Sequence, residues 1–229
     1  MKTPAALPPT IPGSLLEGLI AAVATIYAQI DADQLLFLSE AAVRGAALDC
    51  PSGCGSCCEP FVPDILPAEA AFMAAWLFDN SPDLARETAA WTAENRPASP
   101  PCPFLRRLGE MARCAIYPVR PLVCRLFGAA GVRDRDGRVS FRPCAHMPLS
   151  DYPAVGRGRP SMAGTELERR FGREPPDMAA YASELAALSP SEVAQRSLIV
   201  DALPAALARV GLSLSLAAGS FDPTYSVLS

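Results

Sequence analysis

The chain has 229 residues, 50% of them hydrophobic and 19% charged, which predicts a folded globular protein and excludes an intrinsically disordered one. The formal net charge of −4 argues against general nucleic-acid binding, because domains that bind nucleic acids are usually strongly basic. The 24 prolines are about twice the usual share, so we expect short elements separated by proline-containing turns.

The N-terminal part of the chain carries a helical pattern. Residues 1–13 are rich in proline, and we expect them to be irregular. From Leu15 to Ile30 apolar residues recur three or four positions apart, which is the spacing of one helix face. Asp31 or Asp33 can cap a second helix that runs to about Ala47. The short connection between the two helices predicts an antiparallel pair.

The same apolar segment is the nearest approach to a membrane span in the sequence. Glu17 and Gln29 interrupt it, and it is shorter than the roughly 20 apolar residues that a helix needs to cross a bilayer. No clear small-residue cleavage site follows it, as a secretory signal would require. We therefore expect a cytoplasmic protein that contacts no membrane and no nucleic acid.

The central part of the chain begins with a loop at residues 50–62, where prolines and glycines stand among four cysteines. Pro67 is typical of the first position of a helix, and residues 68–78 are strong helix formers with a buried face. A further helix is predicted at residues 81–95. The prolines that follow it should interrupt regular structure.

A hairpin is predicted from Val132 to Arg142. Asp136-Gly137 is a tight-turn dipeptide, and apolar and polar residues alternate after it. Beyond the hairpin the pattern becomes helical again. Three helices are predicted, at residues 161–172, 176–188 and 191–209, the last capped by Ser191.

Cysteine is the residue type that points to function. All eight cysteines lie within residues 50–144: Cys50, Cys54, Cys57, Cys58, Cys102, Cys114, Cys124 and Cys144. Thiolate sulfur is a soft ligand that selects zinc, cuprous copper or iron–sulfur clusters. Four sulfurs complete a zinc site or a cluster, so eight permit two such sites, or one site and spare thiols. A disulfide framework is the alternative, and a reducing cytoplasm argues against it.

The first group of cysteines is closely spaced. Two small residues, Gly55 and Ser56, separate Cys54 from Cys57 and allow a tight turn that brings both sulfurs to one ion or cluster edge. Cys57 and Cys58 are adjacent, and we expect their side chains to diverge. This divergence would let them serve two neighbouring metal sites.

The second group of cysteines is surrounded by positive charge. Between residues 102 and 144 there are nine arginines and three acidic residues, although the whole chain is acidic. Buried thiolates bound to a metal carry net negative charge, which requires compensation. Arginines close to cysteines could supply it: Arg106, Arg107, Arg113, Arg120 and Arg125. We expect Tyr117, Arg120 and Arg125 to support the metal ligands through hydrogen bonds near sulfur.

Three motifs together resemble one known family: Cys54-Gly55-Ser56-Cys57-Cys58, Cys102-Pro103-Phe104-Leu105, and the segment from Cys114 to Arg125 with Arg120-Pro121 before Cys124. They are similar to the YkgJ-type cysteine-cluster proteins, also described as the CxxCxxCC zinc- or iron-chelating domain. The resemblance covers about residues 50–144. One departure is the gap of three residues between Cys50 and Cys54, where the family pattern has two.

The resemblance implies metal chelation by the cysteines. A related group is similar to flagellin lysine N-methylases, which implies an enzymatic alternative: transfer of a methyl group from S-adenosylmethionine to a protein lysine. The sequence shows no glycine-rich nucleotide loop after a strand, which does not favour that alternative. His146 is the only histidine, and we expect it to be structural or exposed rather than catalytic.

These observations predict a mainly α protein. Residues 14–212 should form one domain, with an irregular Cys-rich metal-binding core at residues 50–144, a small β-hairpin, and flanking N- and C-terminal helices. No element is predicted for residues 213–229. The first hypothesis is an iron–sulfur protein, with a 4Fe-4S cluster favoured, that transfers electrons to a protein partner. The second is a zinc-stabilised structural or interaction protein. No catalytic residue is assigned.

Overall fold

The computed structural model describes residues 14, 16–51, 54–152, 158–189 and 196–217. Helices dominate this part of the chain, which confirms the prediction of a mainly α fold. The helices are α1 (Glu17–Val43), α2 (Pro67–Asn80), α3 (Pro82–Ala89), α4 (Leu122–Arg125), α5 (Thr165–Phe171), α6 (Met178–Ala187) and α7 (Ile199–Ala217). A short 3-10 helix at Tyr117–Val119 precedes α4.

The strands of the described residues are short and pair antiparallel. They are β1 (Asp64–Ile65), β2 (Leu105–Leu108), β3 (Met111–Cys114), β4 (Gly131–Arg133), β5 (Val139–Phe141), β6 (Met162–Ala163) and β7 (Ser197–Leu198). The strand β1 pairs with β7, β2 pairs with β3, and β5 lies between β4 and β6. Three small sheets therefore connect helical segments rather than forming a layer of their own.

The predicted hairpin at residues 132–142 is confirmed. Val132 pairs with Ser140 in the antiparallel register of β4 and β5. Gly137 has a φ of 79°, a left-handed conformation that glycine adopts without strain. The second hairpin, β2–β3, was not predicted from the sequence. It turns at Gly109, whose φ is 63°.

The predicted N-terminal helix pair is wrong, because α1 is a single helix of 27 residues. The segment at residues 31–34 contains no glycine or proline that would end a helix. Both aspartates find partners elsewhere in the fold instead of capping a new helix. Arg125 Nη1 donates to Asp31 at 2.6 Å, and the Tyr181 hydroxyl donates to Asp33. These tertiary contacts favour a continuous helix.

Two clusters of buried side chains form the core, and α1 contributes to both. The first cluster joins the N-terminal half of α1 to α2, α3 and α7, with Met73 and Leu203 fully buried. The second cluster contains three aromatic rings, with Phe37 5.4 Å from Phe141 and 5.7 Å from Phe171. The continuous helix therefore connects the helical core to the three-stranded sheet.

The C-terminal helices follow the prediction with shifted ends. Asp177 caps α6 by accepting hydrogen bonds from Ala179 and Ala180. The last helix, α7, begins eight residues after the predicted start and reaches Ala217, beyond the predicted end at residue 209. Ser191, the predicted cap, lies outside the described residues, as do residues 1–13 and 218–229.

Two of the described helices, α1 and α7, are long and apolar enough to cross a membrane by length and composition. In their most apolar windows 28% and 44% of residues, respectively, are buried inside the fold. A core helix of a folded domain passes the same test, so the pair is weak evidence for a membrane location.

Candidate metal centre

The turn that carries Cys54, Cys57 and Cys58 is held by backbone contacts. The amide of Cys58 donates to the carbonyl of Gly55 at 2.8 Å, and the amide of Cys102 donates to the carbonyl of Cys58 at 2.8 Å. A Cβ atom on Gly55 would lie 2.5 Å from the Cβ of Ala112. Only glycine therefore allows this turn to lie against strand β3.

The hairpin β2–β3 positions Cys102 and Cys114. Cys102 stands three residues before β2, and its carbonyl accepts a hydrogen bond from Leu105 at 3.0 Å. Cys114 is the last residue of β3 and pairs with Leu105 in the ladder. The hairpin thus brings together two thiols that the sequence separates by eleven residues.

Cys124 lies in the single turn of α4, whose start is fixed by a buried carboxylate. Leu122 donates its amide to Glu69 Oε1 at 2.8 Å, and Glu69 is only 1% exposed. Arg125 follows Cys124 and is also buried, at 3% exposed. The Cys124 turn is therefore anchored on both sides by buried polar groups.

One cavity of about 430 Å³ brings these segments together. Seven of the eight cysteines line it: Cys50, Cys54, Cys57, Cys58, Cys102, Cys114 and Cys124. Apolar residues and the side chains of Arg113, Arg120 and Arg125 complete the wall. Thiols from four separate segments therefore face one space.

Cys144 does not line this cavity. It packs against the second core cluster, and its Cβ atom is 3.3 Å from the position that a Cβ on Gly128 would take. Gly128 has a φ of 74°, a left-handed conformation that glycine adopts without strain. The predicted role of Cys144 as a ligand stays a prediction.

The adjacent thiols do not diverge as expected. The Sγ atoms of Cys57 and Cys58 lie 3.8 Å apart, so both face the same space. The expectation that they serve two separate sites is therefore not supported by their geometry. Among the described residues, no group of three or more histidine, cysteine, aspartate or glutamate side chains is arranged so that it could hold a metal ion. The thiols surround a cavity rather than a point.

The two adjacent thiols differ strongly in acidity. A hydrogen bond from Cys58 lowers the pKa of Cys57 to about 6, with a smaller contribution from Arg120, although partial burial opposes the shift. The pKa of Cys58 is raised, because its proton is donated to Cys57 and because it is partly buried. Cys57 is therefore a thiolate near neutral pH that shares the proton of its neighbour.

The deeper thiols are less acidic than an ordinary cysteine. Burial raises the pKa of Cys114 to about 11, and it also raises the pKa values of Cys102 and Cys124. The charge of Arg120 acts in the opposite direction on Cys114 and Cys124. The cavity thus presents one ionised thiolate and several thiols that a metal would have to deprotonate.

The three predicted supporting residues take different positions. The Arg120 guanidinium stacks 4.0 Å from the centroid of the Tyr117 ring and favours the thiolate form of nearby cysteines. Arg125 is instead committed to α1 and to the backbone, through Asp31 and the carbonyl of Pro118. Their predicted action on sulfur through hydrogen bonds stays a prediction.

Among the other arginines near the cysteines, Arg106 lowers the pKa of Cys102 through its charge, although burial of that thiol has the larger effect. Arg107 forms an ion pair with Glu59, next to Cys58.

His146 is exposed, as expected. Sequence reasoning did not identify Glu69, which lies in the first turn of α2 and is the buried acceptor for the Leu122 amide. The available signal was a glutamate three residues after Leu66, but the sequence did not indicate its distant partners, Tyr27 and Leu122.

The site defines a class of protein: a mainly α chain in which thiols from separate loops surround one cavity. Residues 49–145 match the family model CxxCxxCC, described as "Putative zinc- or iron-chelating domain". The match covers less than half of the chain and supports a metal-binding role. No curated protein and no solved structure matches the chain. The YkgJ-type relation and the lysine methylase alternative stay predictions.

Proposed function

We propose that the cysteine cavity binds an iron–sulfur cluster, with a 4Fe-4S cluster favoured, and that the chain transfers electrons. The observation that carries the proposal is that seven of the eight cysteines line one cavity. Thiolates are the ordinary ligands of such clusters, which supply one-electron chemistry when bound. Arg113 and Arg120 line the same cavity and would offset the negative charge of the ligands.

The spread of the thiols supports a cluster over a single ion. Zinc needs four sulfurs at about 2.3 Å, and therefore about 3.8 Å from one another in a tetrahedron. In the described residues no three ligand side chains are gathered in that way. Iron and sulfide atoms separate the cysteine sulfurs of a cluster, so thiols around a cavity of about 430 Å³ suit it better.

A zinc site is the second candidate, and one distance favours it. The separation of 3.8 Å between the sulfurs of Cys57 and Cys58 equals the sulfur–sulfur edge of about 3.8 Å in a tetrahedral zinc site. Zinc bound there by two further cavity thiols would stabilise the fold without redox chemistry. Both candidates agree with the description of the matched family.

Anaerobic purification followed by metal and sulfide analysis separates the two candidates. Iron and acid-labile sulfide in similar amounts, with broad visible absorption, would support the cluster. Stoichiometric zinc without sulfide would support the zinc site. A colourless chain that carries neither metal, and that takes up neither after anaerobic reconstitution, would refute metal binding.

Single cysteine variants test which thiols matter. We expect Cys57→Ala and Cys124→Ala to lose most of the bound metal, because both residues line the cavity. Cys144→Ala is the matched control and should retain the wild-type metal content. Equal losses in all three variants would show that the cavity is not the metal site.

The chemistry of the thiols also supports a location and a type of partner. We propose that the chain works in the reducing cytoplasm, where free cysteines persist without forming disulfides. A protein that exchanges electrons with the cluster would be its partner. Fractionation of cells into cytosol and membranes would test the location, and recovery of the chain with the membranes would contradict it.

A further inference from the structure

Helix α1 presents a polar stripe to the segment around Cys124. Tyr27, Asp31 and Gln34 are spaced four and three residues apart, so they lie on one face of the helix. All three precede residue 49, where the match to the chelating family begins. The stripe is therefore a feature of this chain's N-terminal helix and not of the matched domain.

The stripe holds Arg125, the residue after Cys124, at its backbone and at its side chain. Gln34 Nε2 donates to the carbonyl of Arg125 at 3.0 Å. Arg125 Nη1 donates to Asp31 Oδ2 at 2.6 Å, and its guanidinium lies 4.3 Å from the centroid of the Tyr27 ring. Neither the backbone nor the side chain of Arg125 can move without breaking contacts to α1.

Tyr27 also acts on the other side of Cys124, through Glu69. The Tyr27 hydroxyl and the Leu122 amide both donate to Glu69 Oε1, each at 2.8 Å. The second oxygen of Glu69 accepts the Leu66 amide at 2.9 Å, which fixes the carboxylate at the start of α2. The residue two positions before Cys124 is thus held by a carboxylate that Tyr27 orients.

We propose that α1 is a positioning element for the metal centre and that its polar stripe holds the Cys124 thiol at the cavity. The residues are Tyr27, Asp31 and Gln34, acting with Glu69. This inference rests on the proposed function for the identity of the ligand. Groups that fix a metal ligand typically change metal affinity about 10- to 100-fold when they are removed.

Anaerobic Co²⁺ titration of the full chain tests the proposal, because thiolate-to-cobalt charge-transfer absorption reports the sulfur ligands. We expect Tyr27→Phe and Gln34→Ala to weaken Co²⁺ binding about 10-fold or more and to reduce this absorption. In a Cys124→Ala background the same substitutions should change the affinity by less than about twofold, because their route to the metal is gone.

The matched control is Tyr181→Phe, which removes a hydroxyl that donates to Asp33 on the same helix but on the side of α6. It should leave Co²⁺ affinity within about twofold of wild type. An equal loss in this control would show that the substitutions act through general stability. The proposal would also be overturned if Tyr27→Phe and Gln34→Ala weakened Co²⁺ binding as much in the Cys124→Ala background as they do in the wild-type chain.

Alkylation of the metal-free, reduced chain tests the position of Cys124 without any metal. Iodoacetamide labelling of Cys124, followed by mass spectrometry, should be about fivefold faster in Tyr27→Phe and Gln34→Ala than in wild type, because each loses a hydrogen bond that holds the turn. Tyr181→Phe should match wild type. A wild-type chain that binds no Co²⁺ would count against the zinc candidate and not against the positioning of Cys124, whereas equal labelling in every variant would overturn the positioning role.

Discussion

The turn that carries Cys57 and the turn that carries Cys124 face the same cavity, but different forces hold them. The Cys57 turn is partly exposed and is held by backbone hydrogen bonds and by close packing at Gly55. The Cys124 turn is held by buried side chains, of which Glu69 is the centre. The first turn contains the acidic thiol and the second a thiol whose pKa is raised. One cavity thus has a reactive side, formed by the Cys57 turn, and a rigid side, formed by the Cys124 turn.

The largest expected effect lies on the rigid side. Replacing Glu69 with leucine leaves three buried donors without an acceptor: the Tyr27 hydroxyl and the amides of Leu66 and Leu122. Each unsatisfied buried donor costs about 1–3 kcal/mol of stability. We expect the free energy of unfolding to fall by about 3–5 kcal/mol, measured by urea denaturation. Glu87→Leu, at an exposed position of α3, is the control and should change stability by less than about 0.5 kcal/mol. A similar loss in both variants would mean that the Glu69 network does not hold the Cys124 turn.

The reactive side should show its acidity in the metal-free, reduced chain. With a pKa of about 6, Cys57 is ionised above that pH, so its alkylation rate should rise through pH 6 and level off above it. At pH 7 it would be about 90% thiolate, against about 3% for an ordinary cysteine with a pKa of 8.5. The urea-unfolded chain is the control. Cys58→Ala should move the profile of Cys57 towards higher pH, and an unchanged profile would contradict the shared proton.

A smaller effect is expected from the packing of the Cys57 turn. Gly55→Ala would place a Cβ atom 2.5 Å from Ala112, which forces the turn and strand β3 apart. We expect a loss of about 1–3 kcal/mol in urea denaturation. Gly18→Ala is the matched control, since no atom lies within 4 Å of the added Cβ and alanine suits a helix. That control should be neutral or gain up to about 1 kcal/mol, and a loss as large as that of Gly55→Ala would remove the packing argument.

The smallest effect is expected from the ion pair between Arg107 and Glu59, which joins strand β2 to the Cys57 turn. Both side chains are substantially exposed, at 59% and 39%, so water and salt screen the pair. Arg107→Ala should cost less than about 1 kcal/mol, and the cost should shrink further in high salt. A larger, salt-independent loss would show that the Cys57 turn also depends on side-chain anchors.

The comparison also explains which parts of the site could be predicted. The hairpin β4–β5 was predictable because Asp136-Gly137 and the alternation beside it are local signals. The role of Glu69 was not, since its partners Tyr27 and Leu122 are 42 and 53 residues away in the chain. The predicted helix break at Asp31 failed for the same reason, because Arg125, the partner of that aspartate, is 94 residues distant.

The sequence by itself determined the chemistry of this protein: eight thiols in one segment, arginines near them, and helices on both sides. These properties follow from residue type and local spacing, which folding does not alter. Only the tertiary structure decided that α1 is continuous, that Cys57 and Cys58 face one space, and that Cys144 is not among the residues that line the cavity. Each of these depends on contacts between residues far apart in the chain, and local propensities carry no information about such contacts.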